Sequence, residues 1–154
     1  MRKYGVPVAI LLMIAIDQLV KWWTVENIAL DTVRDFIPNV MSLAYLRNYG
    51  AAWSLLQNQQ IFFAVVTVAV MSVAIWYLAK HLQKSLWMVI GLCLVIAGGL
   101  GNFLDRVRLG YVVDMFHLDF VNFPVFNVAD SYLTVGVLIL FVWIMKEGDN
   151  GAKN

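Results

Sequence analysis

Long apolar stretches without a charged side chain set the strongest constraint on how this chain can fold. Residues 61–79 and 85–104 carry no charge, and each is long enough to cross a hydrocarbon layer of about 30 Å as a helix. Residues 4–23 and 129–145 form two further apolar stretches. Because backbone polar groups inside a bilayer must be satisfied within their own segment, the four stretches predict four transmembrane helices.

Composition supports the same class of protein. Hydrophobic residues make up 62% of the chain and charged residues 14%, whereas soluble domains contain about 45–50% apolar and about 25% charged residues. The net charge is +1 and the basic residues are scattered, so a nucleic-acid partner is not expected. The single cysteine, Cys93, excludes an intrachain disulfide. We therefore predict an α-helical integral membrane protein with residues 1–154 in a single membrane domain.

The basic residues predict how the chain is oriented. Arg2 and Lys3 precede the first span, and the short connection KHLQK joins the second span to the third. Such clusters favour the cytoplasmic side. Both termini are then cytoplasmic, and residues 24–60 and 105–128 are extracytoplasmic. Within the first of these segments, VMSLAYL (residues 40–46) follows a Pro38-Asn39 turn signal and suits a short strand, and AAWSLLQ suits a helix on the membrane surface. We predict that residues 40–56 form a small cap over the site.

This topology gathers polar residues at one membrane face, where Asp17, Asn102, Asp105, Asp114 and Asp130 are expected to meet. Ionisable residues at a membrane boundary are costly, so a functional site is the first hypothesis. Asp17 and Lys21 are four residues apart, and Asn102 and Asp105 are three apart. Each pair therefore shares one helix face.

Two of these carboxylates suggest a chemistry. Asp114 follows the strand-like residues GYVV, and Asp130 begins a helix, so the intervening segment can bring them face to face. Two carboxylates held close together cannot both ionise, and such a pair can activate a water molecule for peptide hydrolysis.

Several other interpretations stay open at this point. Asp130 can be a helix cap while Asp114 lies in a solvated turn. A metal site would need the ligand set His117, Asp114, Asp119 and Asp130, which lacks a paired-histidine spacing. Ser54 and Ser131 lack the sequence context of a nucleophile. Asp105 with Arg106 is expected to form a structural pair. A small ion-coupled transporter would need charges at mid-membrane depth and often an internal repeat, and neither is visible.

Four sequence blocks carry a resemblance to a known family. They are DQLVK (residues 17–21), NYGAAWS (48–54), GGLGNFLDRVRLGYVVDMF (98–116) and FNVADS (126–131). In this order, and spread over nearly the whole chain, they resemble the motifs of the lipoprotein signal peptidases, also called signal peptidase II. Trp53 stands where phenylalanine is common, and Met115-Phe116 replaces a phenylalanine directly after the aspartate. The GxGD motif of presenilin-like aspartyl proteases is absent.

The resemblance implies a cofactor-independent aspartyl peptidase of the bacterial cytoplasmic (inner) membrane, with its active site at the extracytoplasmic face. Its substrates would be prolipoproteins whose cysteine carries diacylglycerol, cut on the N-terminal side of that cysteine, and membrane lipids would surround a monomer. The implied catalytic pair is Asp114 and Asp130. The positions implied to line the site and hold the substrate backbone are Asn48, Asn102, Arg106 and Asn127. The positions implied to give structural support are Asp17, Lys21 and Asp105.

Overall fold

A computed structural model describes residues 2–50 and 59–151 of the chain, with side chains through residue 147. The elements in chain order are α1 (Arg2–Asn27), β1 (Val33–Ile37), β2 (Met41–Asn48), α2 (Gln60–His81), α3 (Leu86–Leu109), β3 (Val112–Leu118) and α4 (Val128–Gly151). All four helices are long and apolar enough to cross a membrane. The described strands form an antiparallel sheet in the order β1-β2-β3. The predicted fold class is confirmed.

Helix α3 lies at the centre of the bundle. It is by far the most buried of the four helices, and it packs against each of the other three. It approaches α4 closely at Gly98, where an added Cβ atom would collide with the carbonyl oxygen of Ala129. Small residues allow helices to approach this closely in a membrane. Large apolar side chains such as Leu11, Val73 and Phe141 remain exposed, which suits contact with lipid.

The helices extend beyond the apolar stretches seen in the sequence. Helix α3 continues to Leu109 and ends at Gly110, whose φ of 80° is left-handed and whose N–H donates to the carbonyl of Arg106. Asp105 and Arg106 therefore lie in the last turns of α3 and not in a loop. The assignment of residues 24–60 and 105–128 to the extracytoplasmic side stays a prediction.

The sheet begins with a hairpin. The predicted strand is confirmed as β2, and the predicted turn is confirmed by an Asn39 φ of 60° and a 3.0 Å bond from the Val40 N–H to the Ile37 carbonyl. Strand β1 was not predicted, because all five of its residues are exposed and show no alternation.

Strand β3 pairs with β2, so that Leu46 lies opposite Asp114 and Asn48 opposite Val112. Asp114 is therefore inside a strand and does not follow one, as the sequence had suggested. The predicted surface helix, with Trp53 and Ser54, lies outside the described residues.

Candidate active site

Asp114 lies in β3 and is 3% exposed. Each of its carboxyl oxygens accepts a hydrogen bond from an asparagine amide. Asn48 Nδ2 donates to Oδ2 at 2.9 Å, and Asn127 Nδ2 donates to Oδ1 at 2.6 Å. Asn48 comes from the end of β2, which the antiparallel pairing places beside β3. The solvated turn considered from the sequence is wrong for Asp114.

Asp130 is the third residue of α4. Its backbone N–H donates to Asn127 Oδ1 at 2.9 Å, and its own Oδ2 accepts from the Asn127 N–H at 3.2 Å. This reciprocal pair is a capping box, with asparagine as the cap. The other oxygen, Oδ1, accepts from Asn102 Nδ2 at 2.7 Å. Asp130 thus takes part in the helix cap, and its carboxylate also contacts Asn102 on α3.

Burial, and secondly the nearby charge of Asp130, raise the pKa of the Asp114 carboxyl from 3.8 to about 7. The amide donors Asn48 and Asn127 and the charge of Lys21 oppose the increase in the pKa but do not cancel it. An aspartic acid in this environment keeps its proton near neutral pH. The site therefore favours a state in which Asp114 holds a proton beside the carboxylate of Asp130.

Two asparagines connect the carboxyl groups. Asn127 is fully buried, and its Nδ2 donates to Asn102 Oδ1 at 3.1 Å as well as to Asp114. Asn102 in turn donates to Asp130. The chain of contacts Asp114, Asn127, Asn102, Asp130 holds both carboxyl groups in one network.

Behind this network lies a buried ion cluster. Lys21 Nζ is 3.0 Å from Asp17 Oδ2 and 3.0 Å from Asp105 Oδ2. The pairing of Asp105 with Arg106 expected from the sequence is wrong. Consecutive helical residues point about 100° apart, so Asp105 faces α1 while Arg106 faces elsewhere. Gln18, which the sequence analysis passed over, donates to Asp105 at 2.9 Å and to Asp17 at 3.2 Å. Its position beside Asp17 in the DQLVK block was the available signal.

Arg106 has partners of its own, apart from the ion cluster. Its guanidinium donates to the Gly50 carbonyl at 3.2 Å and to the Asn102 carbonyl at 3.3 Å, and it lies 4.8 Å from the centre of the Phe63 ring. Among the described residues its buried Nε atom has no hydrogen-bond partner.

A cavity of about 940 Å³ opens onto these groups. One part of its wall is polar and contains Asn48, Asn102, Arg106, Asp114 and Asp130. The remaining wall is mainly apolar and is built from the loop before α4 and from α2 and α4, with Pro124, Val125, Phe126, Thr67, Leu133 and Val135 among its residues.

The other sequence candidates lie away from this arrangement or have other partners. His117 Nδ1 is 3.1 Å from Asp119 Oδ1, and Ser42 donates to the same carboxylate at 3.0 Å. The ligand set joining His117 to Asp114 and Asp130 is not assembled, and within residues 2–50 and 59–147 no group of three suitable side chains could hold a metal ion. Ser131 lines the cavity, and its hydroxyl donates to the Asn127 carbonyl at 3.1 Å.

The fold and the site together define a class: a polytopic membrane protein with a buried and a half-buried carboxylic acid at one end of its helical bundle, both facing a cavity with polar and apolar walls. Residues 9–146 match the family model described as signal peptidase (SPase) II. The chain belongs to the signal peptidase II family.

Curated relatives agree with this assignment. A lipoprotein signal peptidase of Streptococcus pneumoniae is 62% identical over 150 residues, which is 97% of this chain and 98% of the relative. One of Streptococcus agalactiae serotype V is 58% identical over the full length of both chains. Two solved structures described as a bacterial membrane enzyme are 31% identical to this chain. The alignment with the first has a TM-score of 0.90 and covers 95% of this chain and 90% of the solved chain. The alignment with the second has a TM-score of 0.85 and covers 92% of this chain and 93% of the solved chain.

Membership of this family identifies the chain as a protease and as a multi-pass protein of the bacterial inner membrane. The interpretation as a small ion-coupled transporter finds no support in these similarities.

Proposed function

We propose that this chain is an aspartyl endopeptidase that removes the signal peptide from diacylglyceryl-modified prolipoproteins. It cuts on the N-terminal side of the lipidated cysteine. The observation that carries the proposal is the pair Asp114 and Asp130, both on the wall of one cavity and linked through Asn102 and Asn127. The family of the chain supports the substrate class, since its curated relatives are lipoprotein signal peptidases.

The proposed mechanism divides acid and base between the two residues. Asp114 holds the proton, which agrees with its pKa of about 7, and Asp130 is ionised. Asp130 takes a proton from a water molecule as that water attacks the carbonyl carbon of the scissile bond. Asp114 donates its proton to the carbonyl oxygen, which forms a tetrahedral gem-diol. As this intermediate collapses, Asp130 passes the proton taken from water to the leaving amine, and a hydroxyl of the gem-diol returns a proton to Asp114.

The polar side chains around the pair have different proposed roles. Asn48, Asn102 and Asn127 direct their amide donors at the two carboxyl groups, so we assign them to holding those groups in place and not to binding the substrate backbone. Within residues 2–50 and 59–147, the buried Nε atom of Arg106 has no hydrogen-bond partner. We assign that donor to a carbonyl of the bound peptide.

The apolar part of the cavity wall is the proposed place for the lipid and the signal helix. Thr67 and Val135 lie inside α2 and α4, so the cavity reaches from the carboxyl groups to helices that face lipid. We further propose that the site lies at the extracytoplasmic face, where a diacylglyceryl group in the outer leaflet presents the adjacent peptide bond. All of these groups come from one chain, so a monomer is sufficient for activity.

The activity test uses the full chain, purified in detergent, with a diacylglyceryl-modified precursor and its unmodified form. We expect cleavage of the modified precursor only. Asp114→Asn and Asp130→Asn should each fold and bind the precursor while turnover falls by roughly 10³-fold or more, and the double variant should be no worse, because the pair acts as one unit.

Two results would overturn the aspartyl mechanism. One is substantial turnover by either single variant. The other is loss of activity on treatment with a chelator, followed by recovery when zinc is added. Equal cleavage of the modified and unmodified precursors would instead overturn the proposed substrate class and leave the mechanism standing.

Orientation has a separate test. A reporter that is active only in the cytoplasm should be active when fused after Lys84 and silent when fused after Arg34. The opposite pattern would place the cavity on the cytoplasmic face and contradict the proposed route of the lipid.

A further inference from the structure

Lys21 has more partners than a simple ion pair requires. Its side chain is 3% exposed, and its Nζ atom contacts three acceptors on two helices: Asp17 Oδ2 at 3.0 Å, Asp105 Oδ2 at 3.0 Å and Asn102 Oδ1 at 2.9 Å. An ammonium group has three donors, so each of them is used. A contact with Asp17 alone, four residues away on the same helix, would already pair the charge.

Each of the two carboxylates bound to Lys21 accepts a hydrogen bond from the backbone next to one catalytic residue. Asp105 Oδ2 accepts from the N–H of Val113, the residue before Asp114, at 3.2 Å. Asp17 Oδ1 accepts from the N–H of Ala129, the residue before Asp130, at 2.9 Å. One ammonium group therefore connects, through two carboxylates, the backbone that carries each catalytic residue.

The third contact fixes the orientation of an amide. Asn102 Oδ1 accepts from Lys21, and for that reason its Nδ2 points at Asp130, to which it donates at 2.7 Å. The reverse orientation would place the NH₂ group against the ammonium and the oxygen against the carboxylate. Lys21 thereby selects the amide orientation that supplies Asp130 with a donor.

We propose that Lys21 is a positioning residue for catalysis, which sets the separation of the Asp114 and Asp130 segments and the orientation of Asn102. The proposal rests on the aspartyl mechanism above. The charged groups that face Lys21 are Asp17 on its own helix, Asp105 on α3, and the two catalytic carboxyl groups on β3 and α4. Arg106 lies on the cavity wall beside the two catalytic carboxyl groups.

The test is Lys21→Met in the purified full chain, with kcat and KM measured for each folded molecule across pH. Misplacement of reacting groups by about 1 Å can slow a reaction by about 10²-fold, so we expect kcat to fall by at least about tenfold with little change in KM. The charge of Lys21 lowers the pKa of Asp114. The alkaline limb of the rate profile, where Asp114 loses its proton, should therefore move to higher pH. Lys21→Arg keeps the charge and should leave this limb at the wild-type pH.

Gln18→Met is the matched control. Gln18 donates to Asp17 and Asp105, as Lys21 does, but it has no hydrogen bond to Asn102 within the described parts of the chain. Its removal should lower thermal stability and leave kcat and the alkaline limb unchanged. Lys21→Met can fail to fold because it leaves two buried carboxylates unpaired. The triple variant Asp17→Asn, Lys21→Met, Asp105→Asn removes that problem and keeps both backbone acceptors, and it should show the same loss of kcat.

A Lys21→Met or triple variant with wild-type kcat and an unmoved alkaline limb would overturn the proposal and leave Lys21 as structural support. Failure of both variants to fold would also count against it. Asp114→Asn is measured in parallel. If that variant is active, the aspartyl mechanism fails; if it is inactive while Lys21→Met is normal, only the role of Lys21 fails.

Discussion

Replacement of Asp114 by asparagine should make this protein more stable at alkaline pH while abolishing its turnover. The folded state holds the Asp114 proton more tightly than the unfolded state, because burial and then the charge of Asp130 raise its pKa from 3.8 to about 7. The stability of the wild type is therefore greatest below the unfolded pKa. It decreases as the pH rises from 3.8 toward 7, and then stays constant. An asparagine does not titrate, so it avoids this loss.

The size of the effect follows from the same values. Each pKa unit corresponds to 1.36 kcal/mol, so the fully ionised carboxylate destabilises the folded state by about 4 kcal/mol. At pH 5 the wild type has lost only about 2 kcal/mol of these roughly 4 kcal/mol, and at pH 8 it has lost nearly all of them. The free energy of unfolding of the variant, relative to that of the wild type, should therefore rise by about 2–3 kcal/mol between pH 5 and pH 8. The variant also places an NH₂ group against Asn48 or Asn127, which costs about 1–3 kcal/mol at every pH.

The assay is denaturant unfolding of both proteins in one detergent at pH 5 and pH 8. Asp35→Asn is the control, because Asp35 lies in the exposed strand β1; we expect the same difference in the free energy of unfolding at both pH values. The reasoning would be refuted if the free energies of unfolding of Asp114→Asn and the wild type differed by the same amount at pH 5 and pH 8. That result would mean that burial does not disfavour the ionised carboxyl.

Three further perturbations test the helix packing, the end of α3 and the site. Gly98→Ala should destabilise the fold by about 1–3 kcal/mol in denaturant unfolding, because its Cβ would collide with the Ala129 carbonyl oxygen of α4. Gly5→Ala is the control and should cause no loss, because a Cβ there has nothing within 4 Å. Gly110→Ala should cost about 1 kcal/mol in the same assay, because its φ of 80° is left-handed. Asn48→Ala removes a donor that lowers the Asp114 pKa, so the alkaline limb of the pH–rate profile should move to higher pH; an unchanged limb would contradict the acid role of Asp114.

Much of the fold was readable from the chain because the membrane restricts the choice of structure. An uncharged stretch such as residues 61–79 has few alternatives to a spanning helix, since unpaired backbone groups are too costly in lipid. The strand at residues 40–46 and the turn at Asn39 followed from local preferences. Strand β1 was missed because its five exposed residues owe their conformation to pairing with β2, and pairing leaves no periodic pattern in the sequence.

The sequence by itself determined the four spans, the one-sided set of polar residues and the motif blocks that indicate the family. Tertiary structure alone decided the partners. Asp105 pairs with Lys21 on another helix and not with its neighbour Arg106, and Asn127 joins Asp114 to Asn102 across three elements. The physical reason is that hydropathy and helix periodicity depend on neighbours along the chain. A buried polar group, by contrast, is satisfied by whichever donor or acceptor the packing of α1, β3 and α4 around α3 brings within about 3 Å.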